Sequence, residues 1–424
     1  MRARDQKPRV GLFLMAGDMT GGGGAERQFS DTYDAFQQRS GPLDVWLVTD
    51  RFTLGHLQAV GRPRSAARLL VLRSLGGVRG RPARSLRSLW RRPGAWLLEF
   101  AFKCARRIEH LLLIVQCFRA ALRFDLIHIA LLRRFHPPFL RALARLPAAL
   151  RPRISLSIVD CRLAHSLMDP RGAEEDIACY MPLLRGLRPD GVLSWYELFK
   201  SVAERLKLFP GRTRIHASRY CFVDLSRCAA AERKDRLVIF AGRLTGVKQP
   251  LLFIEAVRLL LEQHGDLARG WTFAMYGRGD LEPAVRVRLE ETGLRDRVAL
   301  ASSGNMPAVF AKSRLFVSTQ DYENFTSLAM LEAMACGNAV VARDVGQTAR
   351  FVEDGVNGFL ARPDSAEGVA RAIARYLSLP EQHDRMQAES RRLATEEHSV
   401  EHFLAETEAY WLKLLEPGAG EAAP

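Results

Sequence analysis

Short apolar runs recur along the chain, each closed by a glycine-rich or polar loop and followed by residues with helical spacing. In the N-terminal half they are Arg9–Met15, Leu43–Thr49, Phe124–Ile129, Arg153–Val159, Gly191–Ser194 and Thr213–His216. In the C-terminal half they are Arg236–Ala241, Trp271–Tyr276, Arg297–Leu300, Leu315–Ser318, Ala339–Ala342 and Gly355–Leu360. Continuous apolar runs alternating with helices mark strands covered on both faces, so each half is predicted to be an α/β domain with a doubly wound parallel sheet. The loops that follow the strands then share one sheet edge, where such folds bind ligands. The short-chained, charged stretch Ser226–Arg236 is the expected link. It divides the chain into an N-terminal domain over 1–232 and a C-terminal domain over 233–400, with a helix at 401–416 and a disordered tail at 417–424.

The stretch Asp321–Gly337 stands out. It begins as a polar loop after an apolar strand, turns helical near Thr326 and stops at Gly337, a natural end for a helix. The first amides of a helix have no internal partner and carry partial positive charge, which suits a phosphate. Glu332, further along, can accept hydrogen bonds from sugar hydroxyls. Gly242–Pro250, after another strand, carries Arg243 and Lys248 five residues apart at a helix start. This is either a diphosphate clamp or a pair of solvated loop cations. Gly277-Arg278-Gly279 and Ser302–Asn305 are two further loops on the same predicted edge.

In the N-terminal half, Gly21–Gly24 lies between the first strand and its helix. The spacing lacks the last glycine of the dinucleotide fingerprint, although Asp50 sits where a ribose-binding acid would. His128, Asp160, His165 and Asp169 lie near strand ends, where such sheets bind ligands, each either structural or a substrate contact.

With 424 residues, two domains are expected, and no apolar run is long enough to span a bilayer. The basic start followed by Val10–Ala16 loosely imitates a signal peptide, but it runs straight into Gly17-Asp18 and reads as a first strand. The 7 cysteines include no C-x-x-C pair, so neither a disulfide framework nor a zinc site is expected, and a cytoplasmic setting fits.

Charge changes the picture of the first half. Residues 1–232 hold 39 Lys and Arg against 20 Asp and Glu, whereas 233–424 hold 23 against 27. A preference for Arg over Lys accounts for the type of cation but not for its segregation. Residues 51–98 contain 11 Arg and no acid and read as an arginine-rich insertion. It is either a solvated loop or a docking surface for anionic lipid, which would make the protein peripheral on the inner membrane. Residues 100–123 read as a crossover helix, with lipid docking the alternative there too, and the helix is expected to break or change environment near residue 113. No nucleic-acid module accompanies the arginines, so no nucleic-acid partner is expected.

Phe240-Ala241-Gly242-Arg243-Leu244…Lys248, Tyr276-Gly277-Arg278-Gly279 and Glu332–Gly337 resemble the C-terminal signature of the retaining GT-B glycosyltransferases of family 4, the group 1 glycosyltransferases. Gly22-Gly23-Gly24-Ala25-Glu26-Arg27 is similar to the N-terminal glycine loop of the same family. The resemblance is dense over 236–363 and thin from 50 to 232. It implies two facing Rossmann-like domains, a nucleotide-diphosphate sugar as donor on the C-terminal one and a glycan or lipid-linked acceptor on the other. Arg243 and Lys248 would neutralise the donor diphosphate, and Glu332 would hold the ribose. Amides of Phe325, Thr326, Ser327 and Leu328 would meet phosphate or sugar. Gly277, Gly279, Asn305 and Met306 would border the nucleoside, and Gly23 and Gly24 would close over the diphosphate. The resemblance implies neither a cofactor nor a metal, cationic groups taking the metal's place.

Two departures are visible. The family places a second Glu eight positions before the one matched by Glu332, where this chain has Asn324, with Glu323 next to it. Asn324 keeps the register of Phe325 and the helix and is the expected sugar-binding group, with Glu323 the alternative if the backbone bulges. The His-Asp pair that many members carry after the Arg153–Val159 strand is here Asp160 alone. The implied activity is hexosyl transfer in surface-polysaccharide, lipopolysaccharide or glycolipid assembly. A nucleotide-sugar epimerase or hydrolase, a non-catalytic sugar-binding module and a dinucleotide oxidoreductase are the alternatives.

Overall fold

The computed structural model describes residues 6–15, 24–59, 61–73, 95–131, 136–171, 184, 187–209, 211–325 and 327–416, with backbone alone at 24, 95–103, 105, 106 and 148. Gly23, Thr326, residues 60 and 74–94 of the arginine-rich stretch and the 417–424 tail therefore lie outside the described residues.

The chain forms two compact units, Met1–Ser218 with Leu404–Pro424, and Arg219–Phe403. The first division falls before the expected 232/233 link because Cys221, Val223 and Cys228 already belong to a core of the second unit. The second division cuts the last helix, Val400–Leu415. Beyond it Trp411 stacks on Phe36 and the Tyr410 hydroxyl meets Ser155 at 3.0 Å, both within the first unit.

The first unit holds a seven-stranded sheet of β1 (Arg9–Phe13), β2 (Asp44–Asp50), β3 (Leu69–Leu72), β4 (Leu126–Ile129), β5 (Arg153–Ile158), β6 (Gly191–Ser194) and β7 (Arg214–Ala217). Its order is β3-β2-β1-β4-β5-β6-β7 and every pairing is parallel. Part of the expected insertion is thus regular structure: the Arg51–Gln58 helix and edge strand β3 both fall in it. Asp50 is fully buried and caps that helix, accepting from the amides of Phe52 and Thr53 at 3.0 and 3.1 Å. A capping carboxylate with that employment is not a ribose ligand, which removes the acid on which the dinucleotide reading leaned. The crossover helix runs unbroken from Ala95 to Ala121, so the expected break near 113 does not occur.

The second unit has a six-stranded, all-parallel sheet of β8 (Leu237–Ala241), β9 (Thr272–Tyr276), β10 (Val298–Ala301), β11 (Leu315–Ser318), β12 (Ala339–Arg343) and β13 (Gly358–Ala361). The order is β10-β9-β8-β11-β12-β13. Successive residues of a strand face opposite sides, and both sides of this sheet are covered. Val238 and Phe240 enter one apolar core, and Ile239 and Ala241 enter the other. The chain lays β9 and β10 to one side of β8 and β11 to β13 to the other. The order therefore reverses between β8 and β11, and a crevice at their carboxyl ends is where a doubly wound sheet binds its ligand.

Candidate functional site in the second unit

The loops leaving β8, β9, β11 and β12 are sewn together at the carboxyl edge. Leu244 N donates to Arg278 O at 2.9 Å, and Leu281 N returns a bond to Leu244 O at 2.9 Å. On the other flank, Asp321 N donates to Val247 O at 2.8 Å and the Thr319 hydroxyl to Lys248 O at 3.0 Å. Lys248 Nζ donates to the Gln320 side-chain oxygen. Arg343, at the end of β12, reaches back to Thr319 O at 3.2 Å and to the Asp321 carboxylate at 3.3 Å. Arg243 is exposed on the same β8 loop. The two cations expected to form a clamp are thus carried by one loop at the switch point, and Lys248 is braced from across it.

Gly277 and Gly279 are required by loop packing. A Cβ at Gly277 would lie 1.8 Å from the Gly242 carbonyl oxygen, and one at Gly279 would lie 2.3 Å from that of Leu244. The close approach foreseen for this loop is made by the backbone that carries Arg243. Asn305 is exposed, its amide donating to Ser303 Oγ at 3.0 Å, and Met306 opens the next helix.

The helix of the Asp321–Gly337 stretch runs from Leu328 to Ala335 after Ser327 at its start. Glu332 is 8% exposed and sits one turn inside rather than nearly two, because the helix starts later than expected. Gly337, at φ +74°, follows the last turn. Its amide donates to Met334 O at 2.8 Å and that of Asn338 to Ala333 O at 3.0 Å, the paired bonds of a Schellman end. Lys234 adds Nζ bonds to Cys336 O at 2.9 Å and Ser313 O at 2.8 Å, placing a cation at the negative helix end. Phe325 is 1% exposed and stacks on Phe351 with ring centroids 5.4 Å apart, so its side chain anchors the loop in the core.

Asn324 corrects the expectation placed on it. Its side chain is fully buried, accepting from the Ser318 hydroxyl at 2.6 Å and donating to Thr348 Oγ1 at 2.9 Å and Arg343 O at 3.4 Å. Both amide hydrogens are thereby spent inside the fold, and the residue locks the β11 loop to the β12 loop. Glu323 is 4% exposed; Oε1 accepts from the amides of Phe325 at 2.8 Å and Gln347 at 2.9 Å. Burial pushes its carboxyl above the usual range, against the pull of those amides.

In the first unit, His128 is likewise internal. It is 1% exposed, with Nδ1 at 2.8 Å from Ser155 Oγ and Nε2 at 2.7 Å from Ser157 Oγ. The Trp411 indole N–H, which can only donate, points at Nδ1 at 3.3 Å. That fixes the neutral tautomer with its proton on Nε2, and burial lowers the pKa to about 3. His128 is a core group rather than the expected acceptor contact. Asp160 accepts from the Arg162 amide at 3.0 Å and pairs with its guanidinium at 2.8 Å; His165 is half-buried on the Arg162–Met168 helix. Among the described residues no three His, Cys, Asp or Glu side chains gather as a metal-binding group.

Sequence reasoning missed Thr319, Gln320, Arg343 and Gln347, whose value lies in cross-links between loops that only the strand order reveals. Their one signal was position, directly after apolar strands.

Residues 226–393 match the family model described as glycosyl transferases group 1. The chain is 28% identical over 202 residues to alpha-D-kanosaminyltransferase of Streptomyces kanamyceticus, covering 44% of this chain and 51% of that protein. It is 32% identical over 147 residues to the lipopolysaccharide core biosynthesis mannosyltransferase LpcC of Rhizobium leguminosarum bv. viciae, covering 33% and 40%. The chain thus spans about half or less of the length of these relatives. In structure it is similar to Anabaena HepE, solved in complex with UDP and glucose, with a TM-score of 0.64 at 17% identity over 96% of this chain and 99% of that one. The likeness shows the fold, GT-B, with two Rossmann-like units in one chain.

Proposed function

We propose that this chain, whose residues 226–393 carry a group 1 glycosyl transferase domain, is a retaining family 4 hexosyltransferase. Its donor is a nucleotide-diphosphate sugar. The acceptor is a glycan or lipid-linked saccharide of bacterial surface-polysaccharide, lipopolysaccharide or glycolipid assembly, met at the cytoplasmic face of the membrane. One observation carries the reading: at the switch point of the second unit, the loop bearing Arg243 and Lys248 is hydrogen-bonded to the loop that leads into the Leu328–Ala335 helix and Glu332.

The chemistry follows from charge. Breaking the glycosidic bond leaves negative charge on the departing nucleoside diphosphate. Preorganised cations aimed at that charge stabilise the transition state without reorganising as it forms. Arg243 and Lys248 supply that field, and free amides at the start of the 328–335 helix add to it. Glu332 accepts hydrogen bonds from the ribose, which sets the register of the donor and leaves the sugar beyond the diphosphate. Displacement on the face of the departing group, with no protein nucleophile, accounts for retention. The names of the relatives support transfer of a sugar, and the UDP bound to Anabaena HepE supports a nucleotide-linked donor.

The test is a screen of nucleotide release with UDP-, GDP- and ADP-sugars in the presence of lipid-linked saccharides. Release that needs an acceptor, with the product anomer matching the donor by NMR, is expected. Release without acceptor would instead support a hydrolase. No binding of any nucleotide sugar by calorimetry would overturn the reading.

A further inference from the structure

Among its described side chains, the Ala95–Ala121 helix has two apolar faces, one buried and one exposed. Leu113, Cys117, Ala120 and Ala121 are buried in the core of the first unit. Opposite them, Ile108 is 56% exposed, Leu111 61%, Leu112 48% and Val115 48%, with Leu122 at 45% just past the helix end. At the helical repeat these five fall within an arc of about 100°. Ile108, Leu111, Leu112 and Val115 form one continuous stripe, with Leu122 beyond Arg119, unlike the scattered apolar residues normal on a surface.

The charges around the stripe have one sign. Arg119 lies within it, and Arg107 and Arg123 border it, all three exposed. The single acid between Cys104 and Arg123 is Glu109, which is 1% exposed and turned away on the core side. Gln116 brackets the backbone of Arg73, accepting from its amide at 2.8 Å and donating to its carbonyl at 3.0 Å. Strand β3 therefore ends beside this helix with another exposed arginine. From Arg73 to Arg123 the sequence holds 12 Lys and Arg against 2 Glu.

We infer that this helix face docks flat on an anionic lipid bilayer. Apolar side chains along a helix, bordered by arginines and, among the described residues, free of exposed acids, match the layering of a membrane surface: acyl chains below, anionic headgroups level with the guanidiniums. No described helix is long and apolar enough to cross a membrane. The helix is thus both crossover element and docking element, one face for the sheet and one for lipid. The inference rests on the transferase reading only for its purpose, presentation of the first unit to a lipid-linked acceptor.

Co-sedimentation of the full chain with sucrose-loaded vesicles tests it. Binding to vesicles of phosphatidylcholine with 30 mol% phosphatidylglycerol is expected, and at least tenfold weaker binding to pure phosphatidylcholine. The double variant Leu111→Ser, Leu112→Ser should lower the partition coefficient at least tenfold while the chain stays folded with only a small fall in Tm, because about half of each side chain is already in solvent. Arg107→Gln with Arg119→Gln should do likewise and flatten the salt dependence. Equal vesicle binding by the parent and the serine variant would overturn the inference. So would a parent that is dimeric by sedimentation velocity while the serine variant is monomeric, since a second copy would then cover the face. Calorimetric donor binding on the same preparations reports separately on the transferase reading. A parent that binds vesicles but no nucleotide sugar fails that reading alone.

Discussion

The Thr319 hydroxyl donates to the Lys248 carbonyl at 3.0 Å and to that of Gln249 at 2.9 Å, joining the two loops that flank the switch point of the second sheet. Thr319 is fully buried, so this bond forms away from water and holds the Lys248 backbone in one position. A cation presented this way is placed before the substrate arrives, which is what electrostatic stabilisation of a leaving group requires.

The first prediction concerns the clamp. Arg243→Ala and Lys248→Ala should each lower kcat/KM by about 100-fold, roughly 2.7 kcal/mol, the usual effect of deleting one preorganised donor. Arg243 is exposed, so its loss should leave the Tm unchanged. Thr319→Val keeps the shape but withdraws a donor from the half-buried Lys248 and Gln249 carbonyls. It should cost about 1–2 kcal/mol of stability and a smaller share of activity. Full transfer by both clamp variants would remove the diphosphate from this loop.

The second prediction separates packing from ligand contact at the β9 loop. An added Cβ at Gly277 or Gly279 meets backbone oxygens, which cannot rotate away. Gly277→Ala and Gly279→Ala should therefore displace the Gly242–Lys248 loop, lowering the Tm and raising the donor KM together. A rise in KM at constant Tm would mean that the glycines instead make room for the nucleoside.

These two loops also show what the sequence made legible. Gly242–Pro250 and Gly277–Gly279 were readable because glycines and cations directly after apolar runs have few other reasons to be there. The parallel sheets were readable from the runs themselves. Strand β3 was hidden because Leu69–Leu72 is only four residues long and lies among arginines. The first unit's claim on the last helix was hidden because Trp411 stacking on Phe36 is a contact no local pattern encodes. Asn324 was misread for a similar reason: its partners Thr348 and Arg343 arrive from the next strand.

Asn324 and Glu323 should accordingly separate by readout, as a third prediction. Asn324→Ala removes the shared partner of three buried groups and should destabilise by about 2–4 kcal/mol in urea unfolding. Glu323 has its pKa raised by burial, so its contribution to stability is fully present below the usual carboxyl pKa and is lost as the pH rises through the folded value. Glu323→Gln should therefore gain on the parent in Tm as the pH is raised from about 4 toward neutrality. A Tm difference that does not vary with pH would show that the backbone amides fully offset the burial.

The fourth prediction tests His128 as a core group. Its pKa is lowered to about 3 by burial, so the unfolded chain takes up a proton that the folded chain refuses. The stability it contributes is present above the ordinary histidine pKa and is lost as the pH falls toward the folded value. Between neutrality and a pH of about 4.5 the parent should lose about 2 kcal/mol through this one site. His128→Asn removes the titrating ring, so its urea midpoint should fall less steeply over the same range, while donor binding at neutral pH is retained. Parallel pH profiles for parent and variant would mean that the fold does not lower the His128 pKa, so that the ring takes up its proton inside the fold as the pH falls. The Ser155, Ser157 and Trp411 network would then have to be reassigned, since the Trp411 N–H cannot donate to a protonated Nδ1.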